Sequence, residues 1–287
     1  MPRQLISAGL LTLGVVCGVV PAENWGLSAA AVAIGHAPTN DVFREDMSER
    51  VLLVDYESGI STPAGQGVVA EGPTAKDAFS LSEQQARSGR FCLRTKVARS
   101  DGYISYGKHR AETTTMRCQA TRYNEGDVFR YRFSFMAQDD WQFDSRDSVD
   151  IIWQFKRFDG GPDMFIGAKG KDIVLRCGHG GQWTLVQNFM PGEWMDMCVI
   201  ARWSVGTAGW VESYCKRASD EQFKKVASFQ GPNMRDGRTN STYLTWGIYK
   251  PDIGTSTATN PRVIYHDDIL VEKMTGNPSQ LQEKPCK

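Results

Sequence analysis

The sequence predicts an all-β fold, a sandwich of antiparallel sheets formed within one domain. Short runs of branched and aromatic residues recur along the chain, separated by turn signals rich in Gly, Pro, Asn and Asp. No strong helical periodicity lies between these runs. The chain has 287 residues, 41% of them hydrophobic, which is enough for one large buried core.

The predicted core begins at Val51, and twelve strands follow it at the spacing of a sandwich. They are residues 91–97, 104–114, 128–137, 148–158, 164–168, 172–177, 182–187, 194–203, 209–215, 223–229, 243–249 and 262–272. One helical turn is predicted near residues 81–87, with Ser80 or Ser82 as its cap.

The N-terminus has the pattern of a secretory signal. Arg3 precedes an apolar run at residues 5–20, and the small residue Ala22 precedes Glu23. The alternative is a membrane anchor, but the run is glycine-rich and short for a bilayer span. We therefore expect a signal peptide at 1–22, or a longer one if the weakly apolar segment 25–37 is included. A variable leader (23–50), the main domain (51–273) and a C-terminal tail (274–287) follow.

Charge and cysteine content limit the class of protein further. Thirty-three basic residues balance thirty-three acidic ones, so no net field attracts nucleic acid or an anionic membrane. Removal of the signal leaves six cysteines, which allow up to three disulfides in an exported protein. Fifteen pairings are compatible with six cysteines, and no CxxC or clustered Cys/His spacing suggests zinc. The mature protein is expected to be secreted, extracellular or periplasmic.

The segment from Lys108 to Glu112 is the first candidate for chemistry. On a strand, Lys108, Arg110 and Glu112 share one face and His109 points to the other. The glutamate can fix the guanidinium, whose fork can then bind a substrate carboxylate through two hydrogen bonds. The alternative is an ordinary ion pair on a solvated face.

The segment from Asp150 to Lys156 is the second candidate. Strand alternation predicts one face with Asp150, Ile152, Gln154 and Lys156, and a core-facing one with Ile151, Trp153 and Phe155. Gln154 and Lys156 would then be displayed by a strand whose back is well anchored. The alternative is that these two residues only solubilise the surface.

The segment from Tyr243 to Tyr249 is the third candidate. Tyr243, Thr245, Gly247 and Tyr249 share one strand face, and the glycine would leave a gap where a ligand approaches the backbone. Tyr249 would project its phenol into that gap. The alternative is that both tyrosines pack into the core.

Taken in order, these segments resemble the R-x-E, Q-x-H and Y-F-K-x-G-x-Y strands of polysaccharide lyases of the alginate lyase, glucuronan lyase and heparin lyase I-like families. The resemblance covers about residues 50–273 and includes 192–196 and 263–268. It implies a concanavalin-like β-jelly roll of two antiparallel sheets, one of them concave. Two positions depart from the pattern, because Lys156 replaces the family histidine and Thr245 replaces the family lysine.

The resemblance also implies β-elimination in a uronic-acid-containing polysaccharide. Arg110 and Gln154 are expected to neutralise the uronate carboxylate, and Tyr249 to act as both base and acid. Lys156 is the cation expected to favour the Tyr249 phenolate, which makes a same-side, tyrosine-only route the prediction. The residues expected to contact substrate are Glu112, Lys108, Tyr243, His109 and Lys250.

The expected partner is an acidic polysaccharide, and the protein is expected to act as a monomer. No binding to nucleic acid or, in the mature form, to a membrane is expected, and no cofactor is expected. Acidic residues lack the spacing of a calcium loop, and only the pair Asp267-Asp268 is a candidate for a structural ion. Trp153, Trp246 and Trp141 could stack on sugar rings, although strand parity favours core packing for the first two.

Two other functions remain open at this point. A non-catalytic carbohydrate-binding sandwich would keep the groove and its aromatics but would need no phenol beside a guanidinium. A glycoside hydrolase would need two carboxylates facing a groove. The usual E-x-D-x-x-E cluster is missing, which leaves Asp147 and Asp150 as the only candidates.

Overall fold

The computed structural model describes residues 48–61, 67–178 and 181–276, together with Leu281 and Cys286. The predicted signal peptide, nearly all of the predicted leader and His179 lie outside the described residues. The described residues form sixteen strands in two antiparallel sheets, with three short 3-10 helices at Asp101–Tyr103, Gln119–Thr121 and Ile253–Thr255. None of the helices among them has the length and apolar character needed to cross a bilayer.

Sheet A contains eight strands: seven follow one another in order, and the eighth, β1, pairs with β16. In spatial order these are β14 (Lys224–Gln230), β13 (Trp210–Arg217), β12 (Met195–Arg202), β7 (Val128–Ala137), β16 (Arg262–Met274), β4 (Cys92–Val97) and β3 (Phe79–Ser82), with β1 (Ser48–Val54).

Sheet B also contains eight strands, with β5 paired to β6. In spatial order these are β11 (Gln182–Val186), β10 (Asp172–Cys177), β9 (Met164–Lys169), β8 (Val149–Arg157), β15 (Thr242–Tyr249), β6 (Lys108–Thr114) and β2 (Val69–Glu71), with β5 (Ile104–Ser105).

The all-β prediction is confirmed, and each of the twelve predicted runs contains a strand. Four details differ, the first being that β2 lies in none of the predicted runs. The run 104–114 is divided into β5 and β6 by a two-residue turn at Tyr106 and Gly107. The predicted helical turn at 81–87 is absent, because Leu81 and Ser82 pair in β3 and the residues after them form turns. Finally, β1 begins at Ser48, inside the predicted leader.

Aromatic side chains from both sheets fill the space between them. Trp153 of β8 stacks on Phe133 of β7 with 4.0 Å between ring centroids, and Trp246 of β15 lies 5.3 Å from Trp153. All three are fully buried, and each large apolar side chain removed from water contributes about 1.5–3 kcal/mol. The inner faces of β8 and β15 are therefore fixed firmly, which holds their outer faces in place.

A β-bulge in β8 changes the predicted faces of that strand. The register against β9 shifts between Ile151 and Trp153, so the consecutive residues Ile152 and Trp153 both belong to the core. Because of this extra residue, Asp150 also points between the sheets, where it binds Arg262 of β16 in sheet A. The prediction that Asp150 and Ile152 share a face with Gln154 is therefore wrong.

One disulfide joins two of the six cysteines that remain after the predicted signal. Cys198 of β12 is bonded to Cys286, so the tail is tied to sheet A. Cys92, Cys118 and Cys215 are buried free thiols, and Cys177 is also buried. The sequence allowed up to three disulfides, and buried cysteines of this kind pack as small apolar side chains.

Candidate active site

A cavity of about 310 Å³ lies on the outer face of sheet B, and we call it the sheet-B cavity. Its lining residues come from β6, β8, β15 and the turns beside them: Tyr106, Arg110, Glu112, Thr114, Met116, Lys156, Arg157, Phe158, Gly160, Tyr243 and Thr245. The three predicted segments are adjacent strands here, since β15 pairs with β8 on one side and β6 on the other. The structure thus brings them together as predicted.

Glu112 organises the floor of this cavity. Its Oε1 accepts hydrogen bonds from the Gln154 amide and, at 2.9 Å, from the Thr245 hydroxyl. Its Oε2 lies 3.6 Å from Nη1 of Arg110. Because Glu112 is buried, a hydrogen-bonded position is what makes its carboxylate tolerable there. Glu112 therefore fixes the arginine, as predicted, and it also fixes the amide of the neighbouring strand.

The Gln154 side chain does not match its predicted role. Its Nε2 donates to Glu112 and, at 3.2 Å, to Thr245, so both amide hydrogens have partners within the protein. The residue is 1% exposed and does not line the cavity. Thr245, which stands where the family pattern has lysine, supplies the hydroxyl that completes this network. Gln154 is thus placed to hold Glu112 rather than to meet a substrate.

Arg110 lies directly over Tyr249. The guanidinium carbon is 4.2 Å from the centroid of the tyrosine ring, which is cation–π contact. The register explains this pairing, because Tyr249 of β15 is opposite Arg110 of β6. The phenol predicted to do the chemistry and the guanidinium predicted to bind the carboxylate are therefore in contact.

The pKa of the Tyr249 phenol is raised. Burial is the largest cause, Arg110 lowers it, and Glu112 and Asp252 raise it again. The sequence predicts Lys156 as the cation that favours the phenolate, but the cation in contact with the Tyr249 ring is Arg110, and the net shift of the phenol pKa is upward. The resting side chain is consequently a neutral phenol, able to donate a proton.

Lys156 lies further along the cavity, opposite Tyr243. Burial lowers the pKa of its ammonium, the Glu112 carboxylate raises it, and the Arg110 guanidinium lowers it. Lys156 and Arg110 thus place two cationic side chains on the same cavity, next to one buried carboxylate. This arrangement suits an anionic ligand in a protein that has no net charge.

A comparison with known proteins decides the family. The polysaccharide lyase family profile matches residues 57–270, more than half of the chain. The chain belongs to the polysaccharide lyases. No curated relative matches the sequence. Membership in this family favours an enzyme over the non-catalytic binding module.

Solved structures agree with the fold of this lyase. An endo-β-1,4-glucuronan lyase from the fungus Trichoderma reesei is similar at a TM-score of 0.61 and 17% identity, covering 79% of this chain and 96% of its own. An alginate lyase from Klebsiella pneumoniae has a TM-score of 0.50 and 11% identity, with 75% and 96% covered. A glycoside hydrolase family 131 catalytic domain from Coprinopsis cinerea has a TM-score of 0.51 and 12% identity, covering 80% of this chain and 95% of its own. The jelly-roll prediction is confirmed.

Lys250 of the lyase is not in the cavity, contrary to its prediction as a substrate-binding residue. It follows β15 on the core side and is fully buried. Its Nζ binds the Ser148 hydroxyl and lies 3.0 Å from Asp144 and 3.4 Å from Asp252. Asp150 is 3.9 Å away. The lysine is therefore part of a buried ion cluster, with no ligand-facing surface.

The other predicted contact residues are divided between the two sides of β6 and β15. Tyr243 lines the cavity. Lys108 is exposed at the first position of β6 and His109 lies on the opposite face from Arg110, so neither lines the cavity. The backbone oxygen of His109 accepts a hydrogen bond from the Lys250 amide at 3.0 Å. Their predicted substrate contacts stay predictions.

The aromatic residues that line the cavity are not the predicted tryptophans. Trp153, Trp246 and Trp141 are all buried. The exposed rings at the cavity of the lyase are Tyr106 and Phe158, which the sequence analysis missed. A signal was present for the first, because a glycine follows Tyr106 within the predicted strand and marks a turn.

The acidic candidates are also explained by the structure. Among the residues that line the sheet-B cavity, Glu112 is the one acid, so two carboxylates of a hydrolase do not face it. Asp147 is exposed and pairs with Lys169, and Asp150 is buried against Arg262.

No group of three or more His, Cys, Asp and Glu side chains that could hold a metal occurs in the described part of the lyase. Asp267, one of the two residues considered for an ion, instead accepts the backbone N–H of Arg87 at 2.9 Å. Its neighbour Asp268 accepts the Ser88 hydroxyl at 2.6 Å. Polysaccharide lyases of this kind need no cofactor.

Proposed function

We propose that this lyase cleaves a uronic-acid-containing polysaccharide by β-elimination, with Tyr249 transferring the protons and Arg110 neutralising the uronate carboxylate. The observation that supports this most is the Arg110 guanidinium, 4.2 Å from the Tyr249 ring and 3.6 Å from the Glu112 carboxylate. It places a fixed positive charge of the cavity lining beside the phenol of Tyr249, which is partly buried next to the cavity and is not itself one of its lining residues. The sequence prediction of Gln154 as a second neutralising group is replaced by Lys156, which lines the cavity.

The chemistry requires this combination. Removal of the C5 proton of a uronate builds negative charge on the adjoining carboxylate, and a positioned guanidinium stabilises that charge. The base must take the C5 proton and an acid must protonate the departing O4 oxygen. One phenol can do both when the two atoms lie on the same side of the ring. A raised pKa makes the phenolate of Tyr249 a stronger base once it forms.

Secretion is part of this proposal. It is supported by the N-terminal signal pattern and by the disulfide between Cys198 and Cys286, since disulfides persist in oxidising compartments. Action on a polymer outside the cell is consistent with these features.

The test is to follow ultraviolet absorbance of unsaturated sugar ends while purified protein acts on alginate, glucuronan and heparin. Tyr249→Phe should lose activity by roughly 10²-fold or more, the usual contribution of an acid–base group. Tyr243→Phe removes the hydroxyl from the other tyrosine of the same face and should lose far less. Wild-type activity should keep rising with pH through ~10, because the pKa of the Tyr249 phenol is raised above the ordinary tyrosine value.

Two results would contradict the proposal. Undiminished activity of Tyr249→Phe would remove the tyrosine from the chemistry. Absence of unsaturated product from all three polysaccharides, with folded wild-type protein, would refute cleavage of a uronate.

A further inference from the structure

Two exposed aromatic rings lie at the rim of the sheet-B cavity. Tyr106 is 77% exposed and Phe158 is 48% exposed, whereas the rings that fill the core of this protein are fully buried. Both line the cavity with Arg110 and Lys156. Large apolar rings left in water beside charged groups are common at binding surfaces, because they contribute contact area once a ligand covers them.

Tyr106 occupies a backbone position that does not favour tyrosine. Ser105 pairs with Lys108, so Tyr106 and Gly107 are the two central residues of a tight hairpin. Their φ angles are +50° and +72°, the left-handed values of a type I′ turn. Asn, Asp or Gly adopt that conformation more readily than an aromatic residue. The side chain therefore has no local conformational reason to be a tyrosine.

The position of the Tyr106 ring connects it to the proposed chemistry. The Arg110 guanidinium carbon lies 5.9 Å from the Tyr106 ring centroid and 4.2 Å from that of Tyr249. One arginine thus adjoins both rings, and a sugar whose carboxylate binds Arg110 comes close to the face or edge of Tyr106.

Phe158 stands at the other end of the same cavity. Its ring centroid is 5.0 Å from that of Tyr243, and the Arg122 guanidinium lies 5.3 Å from it. Arg110 and Lys156 both line the cavity and lie opposite Tyr249 and Tyr243, which are six residues apart on β15, about 20 Å at the rise of a strand. The two exposed rings therefore belong to ends of a cavity longer than one sugar ring.

We propose that Tyr106 and Phe158 are the sugar-stacking walls of this site, which hold two separate rings of one acidic polysaccharide chain on either side of the Arg110–Lys156 pair. The ligand is an oligomeric segment of the chain, and a single uronate cannot reach both walls. This inference rests on the proposed function, since it concerns the same substrate.

The test compares Tyr106→Asn with wild type. Asparagine suits the left-handed turn, so the variant should fold and melt at or above the wild-type temperature. Loss of one stacked ring should raise KM for the polymer roughly three- to tenfold, with a much smaller change in kcat. Tyr106→Phe keeps the ring and should restore the wild-type KM. Phe158→Ser should raise KM in the same way.

A matched control removes an exposed apolar side chain that does not line the cavity. Met190 is 55% exposed, and Met190→Asn should leave KM unchanged. Binding is measured separately by native gel electrophoresis through dissolved alginate, glucuronan or heparin, with the Tyr249→Phe background used to prevent cleavage. Adding Tyr106→Asn to this background should reduce the retardation.

The outcomes distinguish the two proposals. If wild type cleaves none of the three polysaccharides, the proposed function fails. If wild type cleaves one of them and Tyr106→Asn and Phe158→Ser show the wild-type KM and retardation, the stacking walls are refuted while the lyase assignment stands. An increase in KM that Tyr106→Phe does not reverse also refutes stacking.

Discussion

Two lysines of this protein allow a direct comparison between a charge buried in the fold and a charge that we propose binds substrate. Lys250 is fully buried, with its Nζ bonded to Ser148 and 3.0 Å from Asp144. Lys156 lies in the sheet-B cavity and is only partly buried. Replacing each with methionine keeps most of the length of the unbranched side chain and removes the charge, so the two substitutions are chemically matched.

The expected magnitudes differ. Removing one partner of a buried ion pair destabilises a protein by about 3–5 kcal/mol, because the remaining charge loses its compensation. At roughly 2–4 °C per kcal/mol for a domain of this size, Lys250→Met should lower the melting temperature by roughly 6–20 °C. Lys156→Met should change stability by less than about 1 kcal/mol, since burial already disfavours its charge. Its effect should fall on activity against acidic polysaccharide.

The assay is thermal and urea unfolding followed by circular dichroism, together with product absorbance below the melting temperature of each variant. A Lys250→Met protein that melts within ~2 °C of wild type would refute the argument that its charge compensates the buried carboxylates. If Lys156→Met keeps full activity on every substrate that wild type cleaves, the cationic role of Lys156 is wrong.

Two further predictions concern stability. Burial lowers the pKa of His266 to about 3, whereas its pKa in the unfolded chain is about 6.5. The stability gained by burying the neutral imidazole is therefore fully present above pH ~6.5 and is lost as the pH falls towards 3. Between pH 7 and 4.5, wild type should lose about 3 kcal/mol more unfolding free energy than His266→Leu in urea titrations. An equal loss in the two proteins would contradict this. Burial raises the pKa of Asp267 to about 6, which has the opposite effect on stability but is common to both proteins. Gly247→Ala should destabilise by about 1–3 kcal/mol, because φ is +140° and a Cβ would lie 2.2 Å from the Ala111 oxygen. Gly237→Ala is the control and should not destabilise the protein, because there is open space around Gly237. Equal urea midpoints for the two variants would refute the steric argument.

The sequence was sufficient for the fold and for one wall of the site. Alternation along Tyr243–Tyr249 is regular against β6, so the residues of that strand face as predicted. Its glycine has a different role, however, because the neighbouring backbone of β6 rather than a ligand occupies the space beside Gly247.

The predictions of side-chain direction are wrong where the two-residue alternation of a strand is interrupted or ends. The bulge at Ile152 cannot be recognised in a run of apolar residues, and it turns Asp150 inward. Lys250 comes after the strand has ended, so its direction depends on the buried acids that surround it. The turn at Tyr106 lies inside one continuous predicted strand, residues 104–114, although the following glycine indicated it.

The bulge also makes β8 a strand with two roles. Before Ile152 it sends a carboxylate inward to Arg262 on the opposite sheet, and after Trp153 it presents Gln154 and Lys156 outward. The same sequence paired without the bulge would alternate strictly, and everything that precedes Trp153 would change sides. Asp150 would then lie on the outer face with Gln154, and Arg262 would be left buried without its counter-ion. One extra residue in β8 therefore determines both an ion pair between the sheets and the charge of the outer face of sheet B.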